Sequence, residues 1–178
     1  MIGTTVTGMK AGATTLRLED ANHNYAVVNL TVSGSSVDPS EHYAGEPVAE
    51  DGVVGYLNED LKTVTVTDVA VVSKAITIPA TVQGFDVVAI DAQAFKKSDA
   101  KTVYVKGSVD TIGKGAFKAS KVKKVYFYDP AALKTVGKNA FKKTNAKVVG
   151  IGAAFSDEVT SDLKKAGASK VKNNGTAK

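Results

Sequence analysis

Ile112-Gly113-Lys114-Gly115-Ala116-Phe117 decides the fold, because it is one copy of a repeat. The pair Ala-Phe recurs at Ala94-Phe95, Ala116-Phe117 and Ala140-Phe141, with the Phe residues 22 and then 24 positions apart. Other columns follow when each Phe is taken as zero. Ile90, Ile112 and Val136 stand five before it, and Asp91, Gly113 and Gly137 four before. Val103, Val125 and Val149 stand eight after it, and Val105, Phe127 and Ile151 ten after. Positions +8 and +10 fall on one face of a strand. Position −5, β-branched throughout, marks a second short extended segment. Between them, Gly-Lys-Gly, Gly-Lys-Asn or Asp-Ala-Gln leads into Ala-Phe. That composition suits a tight turn and one helical turn, with Ala letting the backbone close and Phe filling the core. One such unit cannot bury its own apolar face, but a stack of them can.

A stack needs closed ends, and both are legible. Gly55-Tyr56-Leu57-Asn58-Glu59-Asp60-Leu61-Lys62-Thr63-Val64-Thr65-Val66 reads as a hairpin that covers the amino-terminal end of the core. At the other end Ser156 caps a helix running to Ala166, with Gly167 as its stop. Val159 and Leu163 share one face of that helix. Lys170-Val171-Lys172 adds a final strand, and a mobile tail is expected over 173–178.

The 178 residues are 43% hydrophobic and 23% charged, enough apolar content for a real core and too much for a disordered tail. No apolar run approaches the ~20 residues that span a bilayer, and MIGTTVTGMK does not have a charged segment followed by an apolar one, the pattern of a signal peptide. The absence of Cys excludes disulfides, thiolate metal sites and cysteine nucleophiles. The net charge of +5 hides a split. Residues 1–90 carry four basic groups against eleven acidic ones, whereas 91–178 hold nineteen Lys against seven acids. A basic carboxy-terminal half attracts polyanions, although lysine also serves simply to solubilise a repetitive surface.

The columns resemble the BspA-like (bacterial surface antigen A-like) leucine-rich repeats, whose consensus runs roughly L-x-x-I-x-I-P-x-x-V-x-x-I-G-x-x-A-F. Ile76-Thr77-Ile78-Pro79-Ala80-Thr81-Val82 supplies the I-x-I-P-x-x-V part, and Ile112 to Phe117 the I-G-x-x-A-F part. The chain departs from the family in lacking the Cys that usually follows the Phe. Extra residues near Gln83-Gly84-Phe85-Asp86 also stretch the first repeat. The resemblance implies a β-rich leucine-rich-repeat solenoid, a right-handed β/α superhelix with short helical turns, over residues 49–172 including its caps. Val6-Thr7-Gly8-Met9-Lys10-Ala11-Gly12, followed by Leu16-Arg17-Leu18 and Tyr25 to Val32, is similar to the closing strands of a group 2 bacterial immunoglobulin-like (Big_2) domain. Residues 1–32 are therefore expected to be a β-hairpin from a partial sandwich. The Gly-, Ser-, Pro- and acid-rich residues 33–48 are expected to form a flexible linker.

Catalytic motifs fail on inspection. Gly107 to Gly115 misses the phosphate-loop spacing, and Gly150-Ile151-Gly152-Ala153-Ala154-Phe155 lacks a third small residue. Asp157, Glu158 and Asp162 sit where carboxylates favour a helix dipole. His23 and His42 fall in a turn and in the linker, and no EF-hand or zinc spacing occurs. The expectation is a non-enzyme without metal or cofactor.

What remains is surface. Position +9, between the buried columns, faces outward and holds Tyr104, Tyr126 and Gly150. Position +11 adds Lys106 and Tyr128, and +7 adds Thr102 and Lys124. Tyr104, Tyr126, Tyr128, Lys106 and Lys124 are the candidate ligand-binding residues, although Tyr also simply suits strands. Two lysine ladders, Lys96, Lys118 and Lys142 at +1 and Lys101, Lys123 and Lys147 at +6, are the candidate polyanion residues; duplication alone also produces them. The resemblance implies an adhesion or protein-interaction module of a secreted bacterial surface protein, of which this chain is a fragment. Its partner is then a host matrix or cell-surface protein. The alternative is a structural spacer, or a retention module that meets an anionic cell-wall polymer or glycan. A targeting module appended to a cell-wall enzyme is a third possibility. Neither nucleic acid nor membrane insertion is expected.

Overall fold

The structure is a computed structural model, and it describes residues 12–19, 25–32, 42–69, 73–96 and 98–175. The chain divides into two compact units, residues 1–42 and 43–178.

In the first unit, β1 (Gly12–Glu19) and β2 (Tyr25–Val32) pair antiparallel, with Gly12 opposite Val32 and Glu19 opposite Tyr25. An antiparallel strand pair is therefore present in this segment. The proposed signature residues Val6 to Ala11, the turn Asp20 to Asn24 and residues 33–41 of the expected linker lie outside the described residues.

The second unit opens with an antiparallel meander: β3 (Pro47–Glu50), β4 (Val53–Leu57) and β5 (Thr63–Val69). The turn between β4 and β5 is built on Asp60. Its carboxylate accepts from the Lys62 and Thr63 amides and from the Thr63 hydroxyl, at 2.7–2.9 Å. These donors, the Lys62 amide first, hold the Asp60 carboxyl below its ordinary range. The end of the expected linker differs from the sequence reading. Gly45 donates to Leu57 and Leu57 to Glu46, so the chain is tied to the cap hairpin before β3 begins.

The stack follows. β6 (Ala75–Ile78) leads to β7 (Thr81–Val82) and β8 (Phe85–Ile90), which form a tight hairpin around Gln83-Gly84. The residues that stretch the first repeat are this turn. Then come β9 (Thr102–Val105), β10 (Thr111–Ile112), β11 (Lys124–Phe127), β12 (Thr135–Val136) and β13 (Lys147–Ile151). Helix α1 (Asp157–Lys165) and β14 (Lys170–Gly175) complete the chain. Successive coils lay their strands alternately in two sheets. One continues the meander through β5, β8, β10 and β12 in parallel. The other is wholly parallel, in the order β6-β9-β11-β13-β14. The result is a β-solenoid.

Apolar columns fill the space between the sheets. The rings of Phe95 and Phe117 stack at 4.8 Å and those of Phe117 and Phe141 at 5.0 Å, all three fully buried. Coil is tied to coil at the same corner. The Phe95 amide donates to Ala116, Phe117 to Ala140, and Phe141 to Ala166, at 2.7–2.9 Å. Ala166 is the C-cap of α1, so the helix takes the place of the next Ala-Phe turn. Ser156 accepts from the Val159 amide as N-cap, and Val159 and Leu163 close the core as their spacing predicts. Asp157 and Glu158 in the first turn and Lys164 and Lys165 in the last complement the helix dipole. The final strand runs to Gly175, beyond the boundary at 172. Asn173 accepts from the Phe155 amide and Asn174 donates to Ala153.

Candidate interaction face

Val103, Val105, Val125, Phe127 and Val148 are fully buried, so the alternate residues of β9, β11 and β13 form the outward face of the parallel sheet. Pairing fixes its rows. Thr77, Tyr104, Tyr126, Val149 and Lys172 lie side by side across five strands. One row away, Thr102, Lys124, Lys147 and Lys170 lie side by side. On the other flank, Lys106 and Tyr128 follow β9 and β11, with the Lys106 Nζ 3.3 Å from the centroid of the Tyr128 ring.

This register corrects the sequence reading in the third repeat. Val125 pairs with Val148, not Val149, and Tyr126 with Val149, not Gly150. The cause is a deletion. Ala100, Val122 and Ala146 form a buried column five after each Phe. Two residues separate Ala100 from Val103 and Val122 from Val125, whereas only Lys147 separates Ala146 from Val148. A one-residue change of count reverses which face each side chain takes. Gly150 consequently faces inward, where a Cβ would meet Pro130 at 3.0 Å.

A second correction concerns Tyr126. It lies on the outward row but is only 4% exposed, held between Tyr104 and Val149. Its ring stacks on Tyr104 with centroids 5.3 Å apart and planes within 10°. Tyr126 is thus buried, not exposed as its position between the apolar columns predicts. Tyr104 and Tyr128 are half-buried, and Lys106 and Lys124 are exposed.

One of the two lysine ladders is rearranged as well. Lys96, Lys118 and Lys142 follow the stacked Phe residues and climb the corner of the stack with them. The +6 ladder is broken in register: Lys101 and Lys123 each precede a paired residue, Thr102 and Lys124, whereas Lys147 itself pairs with Lys124 while its amide donates to Lys123. The unbroken row is Lys124, Lys147 and Lys170. A sequence signal for it exists in Lys124-Val125, Lys147-Val148 and Lys170-Val171, spaced 23 apart, which counting from Phe conceals. Lys121 is engaged otherwise, with Asp99 at 2.7 Å, and this hydrogen-bonded partner lowers the Asp99 carboxyl.

His42 is half-buried, Asp157 and Glu158 are exposed on α1, and His23 lies outside the described residues. Among the described residues no three His, Asp or Glu side chains gather as a metal site. No helix among them is long and apolar enough to cross a membrane.

Residues 73–160 match the family model described as BspA type leucine rich repeat region, in six copies. That segment holds β6 to β13 and the start of α1, and the β-solenoid they build is consistent with a leucine-rich-repeat solenoid. Comparison with curated proteins and with solved structures gave no match. A BspA-like repeat region is consistent with a module for protein interaction at a surface.

Proposed function

We propose that the chain is a non-catalytic interaction module of an exported bacterial surface protein, which adheres to a host matrix or cell-surface protein through the outward face of its parallel sheet. The observation that carries this reading is the Lys106–Tyr128 pair. The ammonium lies 3.3 Å from the ring centroid, so a cation and a half-buried aromatic are held in one geometry. Tyr104, braced on Tyr126, lies on the adjoining row, and exposed Lys124 lies on the row beyond it. Aromatic side chains already fixed in place lose little freedom on binding, which is why Tyr recurs at interface hot spots. Lining the face up on five hydrogen-bonded strands gives it a rigid base. The resemblance of residues 1–32 to a bacterial immunoglobulin-like segment agrees with an exported, multi-module architecture.

The second reading is a spacer or a cell-wall retention module, and the lysine row favours it. A targeting role for an attached enzyme fits the same surface. Binding of the full chain to an array of matrix proteins and anionic polysaccharides, at low and high salt, separates them. Salt-resistant binding to one protein supports adhesion. Salt-sensitive binding to polyanions alone moves the function to wall retention, and no binding to any of them favours the spacer.

A further inference from the structure

Lys124, Lys147 and Lys170 stand in register on three neighbouring parallel strands. Adjacent strands are ~4.8 Å apart, so three ammonium stems rise from a strip roughly 10 Å long. Like charges placed directly side by side on a sheet oppose its formation, and Lys is a poor strand former. The fold does not require Lys here, since Ala75 and Thr102 occupy the same row on β6 and β9. Lysines on an outermost strand deter pairing with another chain, which accounts for Lys170 and Lys172 on β14. It does not account for Lys124 and Lys147, whose strands are paired on both sides.

Nor are these charges neutralised. The strands β6, β9, β11, β13 and β14 contain no Asp or Glu. Among the described residues no carboxylate pairs with Lys124, Lys147 or Lys170, whereas Lys121 and Lys165 have Asp99 and Asp162. Exposed Lys101 and Lys123, joined through their backbones at 2.8 Å, broaden the strip at the corner beside Lys124. A place where local preference is overridden and the cost is left standing marks a functional site.

We propose that the Lys124–Lys147–Lys170 row binds a linear polymer of phosphate or sulfate groups, laid across the strands along the axis of the stack. The proposal rests on the interaction reading of this face and names the chemistry of one part of it. A linear polymer fits because the charges lie in a line at a strand repeat, which successive anionic groups on one chain can follow and a single anion cannot. Lysine presents a compact point charge rather than a planar fork, so the row selects charge spacing and not one anion geometry.

The test uses the full chain with inorganic polyphosphate and heparin as probes and inorganic phosphate as the monomer. The triple variant Lys124→Gln, Lys147→Gln, Lys170→Gln is compared with Lys134→Gln, Lys138→Gln, Lys164→Gln. The control removes the same charge from exposed positions off this face. The row variant is expected to lose affinity about tenfold or more at physiological salt, with its log–log salt slope shallower by about two to three. Its Tm should hold or rise, because repulsion is removed, and so loss of binding is not loss of folding. The control should lose less than about threefold. Binding of one polymer or both supports the proposal and assigns phosphate, sulfate or either as the source. Equal losses in the two variants, monomeric phosphate binding as tightly as polymer, or no polymer binding by the parent would overturn it. The interaction reading is tested separately with Lys106→Gln, Tyr128→Ser. That variant loses a protein partner if the face reading holds, whatever the polymer result.

Discussion

Gly137 lies against the backbone of Gly113 so closely that a Cβ built on it would stand 2.5 Å from the Gly113 carbonyl carbon and 2.5 Å from the Lys114 nitrogen. Gly113 in turn lies against Asp91 and Ala92, where its own Cβ would meet backbone at 2.4–2.5 Å. The column of Asp91, Gly113 and Gly137 is therefore where neighbouring coils touch main chain to main chain. A methyl group there must push two coils apart, since backbone cannot swing aside. Gly137→Ala should destabilise the solenoid by roughly 2–3 kcal/mol, in the range of overpacked cores. Chemical denaturation checks this, with Lys138→Ala, at an exposed neighbour, as the reference.

Phe117 is sandwiched between Phe95 and Phe141 and has no exposed surface. Phe117→Ala should cost about 3–5 kcal/mol, and the loss should spread to both neighbouring coils. Hydrogen exchange at the Phe95 and Phe141 amides, which bond to Ala116 and Ala166, reports that spread directly. Exchange that quickens in one coil only would show that the coils unfold independently.

Tyr126, on β11, and Tyr128, just past the end of that strand, should behave oppositely. Tyr126 is buried and stacked, so Tyr126→Ser should lose about 2–3 kcal/mol of stability from burial and ring contact. Tyr128 is half-buried under Lys106, and Tyr128→Ser should leave the melting temperature nearly unchanged while weakening partner binding. Thermal melts of the two variants side by side separate support from contact.

The cap hairpin carries a pH dependence with a definite sign. The Asp60 carboxyl is lowered in the folded state because it accepts from Lys62 and Thr63. Its contribution is present above the ordinary Asp range and is lost as pH falls through the lowered value. A carboxyl titration by NMR should place Asp60 below an Asp in an unstructured peptide. Asp60→Asn should abolish the acid-induced shift of the Thr63 amide.

Much of this architecture was legible because it depends on side chains that repeat. The Ala-Phe column, the paired apolar positions in the first two coils, the capping Ser156 and the apolar face of α1 each act through burial or a single local hydrogen bond. What escaped depended on counting. Anchoring every column on Phe carried the one-residue deletion after Ala146 into the strand, and it turned Val149 and Gly150 to the wrong faces. The Lys-Val pairs at 124, 147 and 170 record the true register, because a strand begins where its inward Val does. The strand β3 was also missed, although Asp51-Gly52 between Glu50 and Val53 is a two-residue hairpin turn. Both residues adopt positive φ, 49° and 76°. Burial of Tyr126 was not legible, because alternation gives a side chain's direction and not what its neighbours leave open.

On the proposed reading, a partner protein docks on the outward face of the parallel sheet, at Lys106 and Tyr128. The most direct measurement is the affinity of the full chain for a matrix protein captured from the array, against the Lys106→Gln, Tyr128→Ser variant of equal Tm. The account predicts a loss of at least about tenfold that persists at high salt, as for removal of an interface anchor. Unchanged affinity in that variant would contradict it and place binding elsewhere on the molecule.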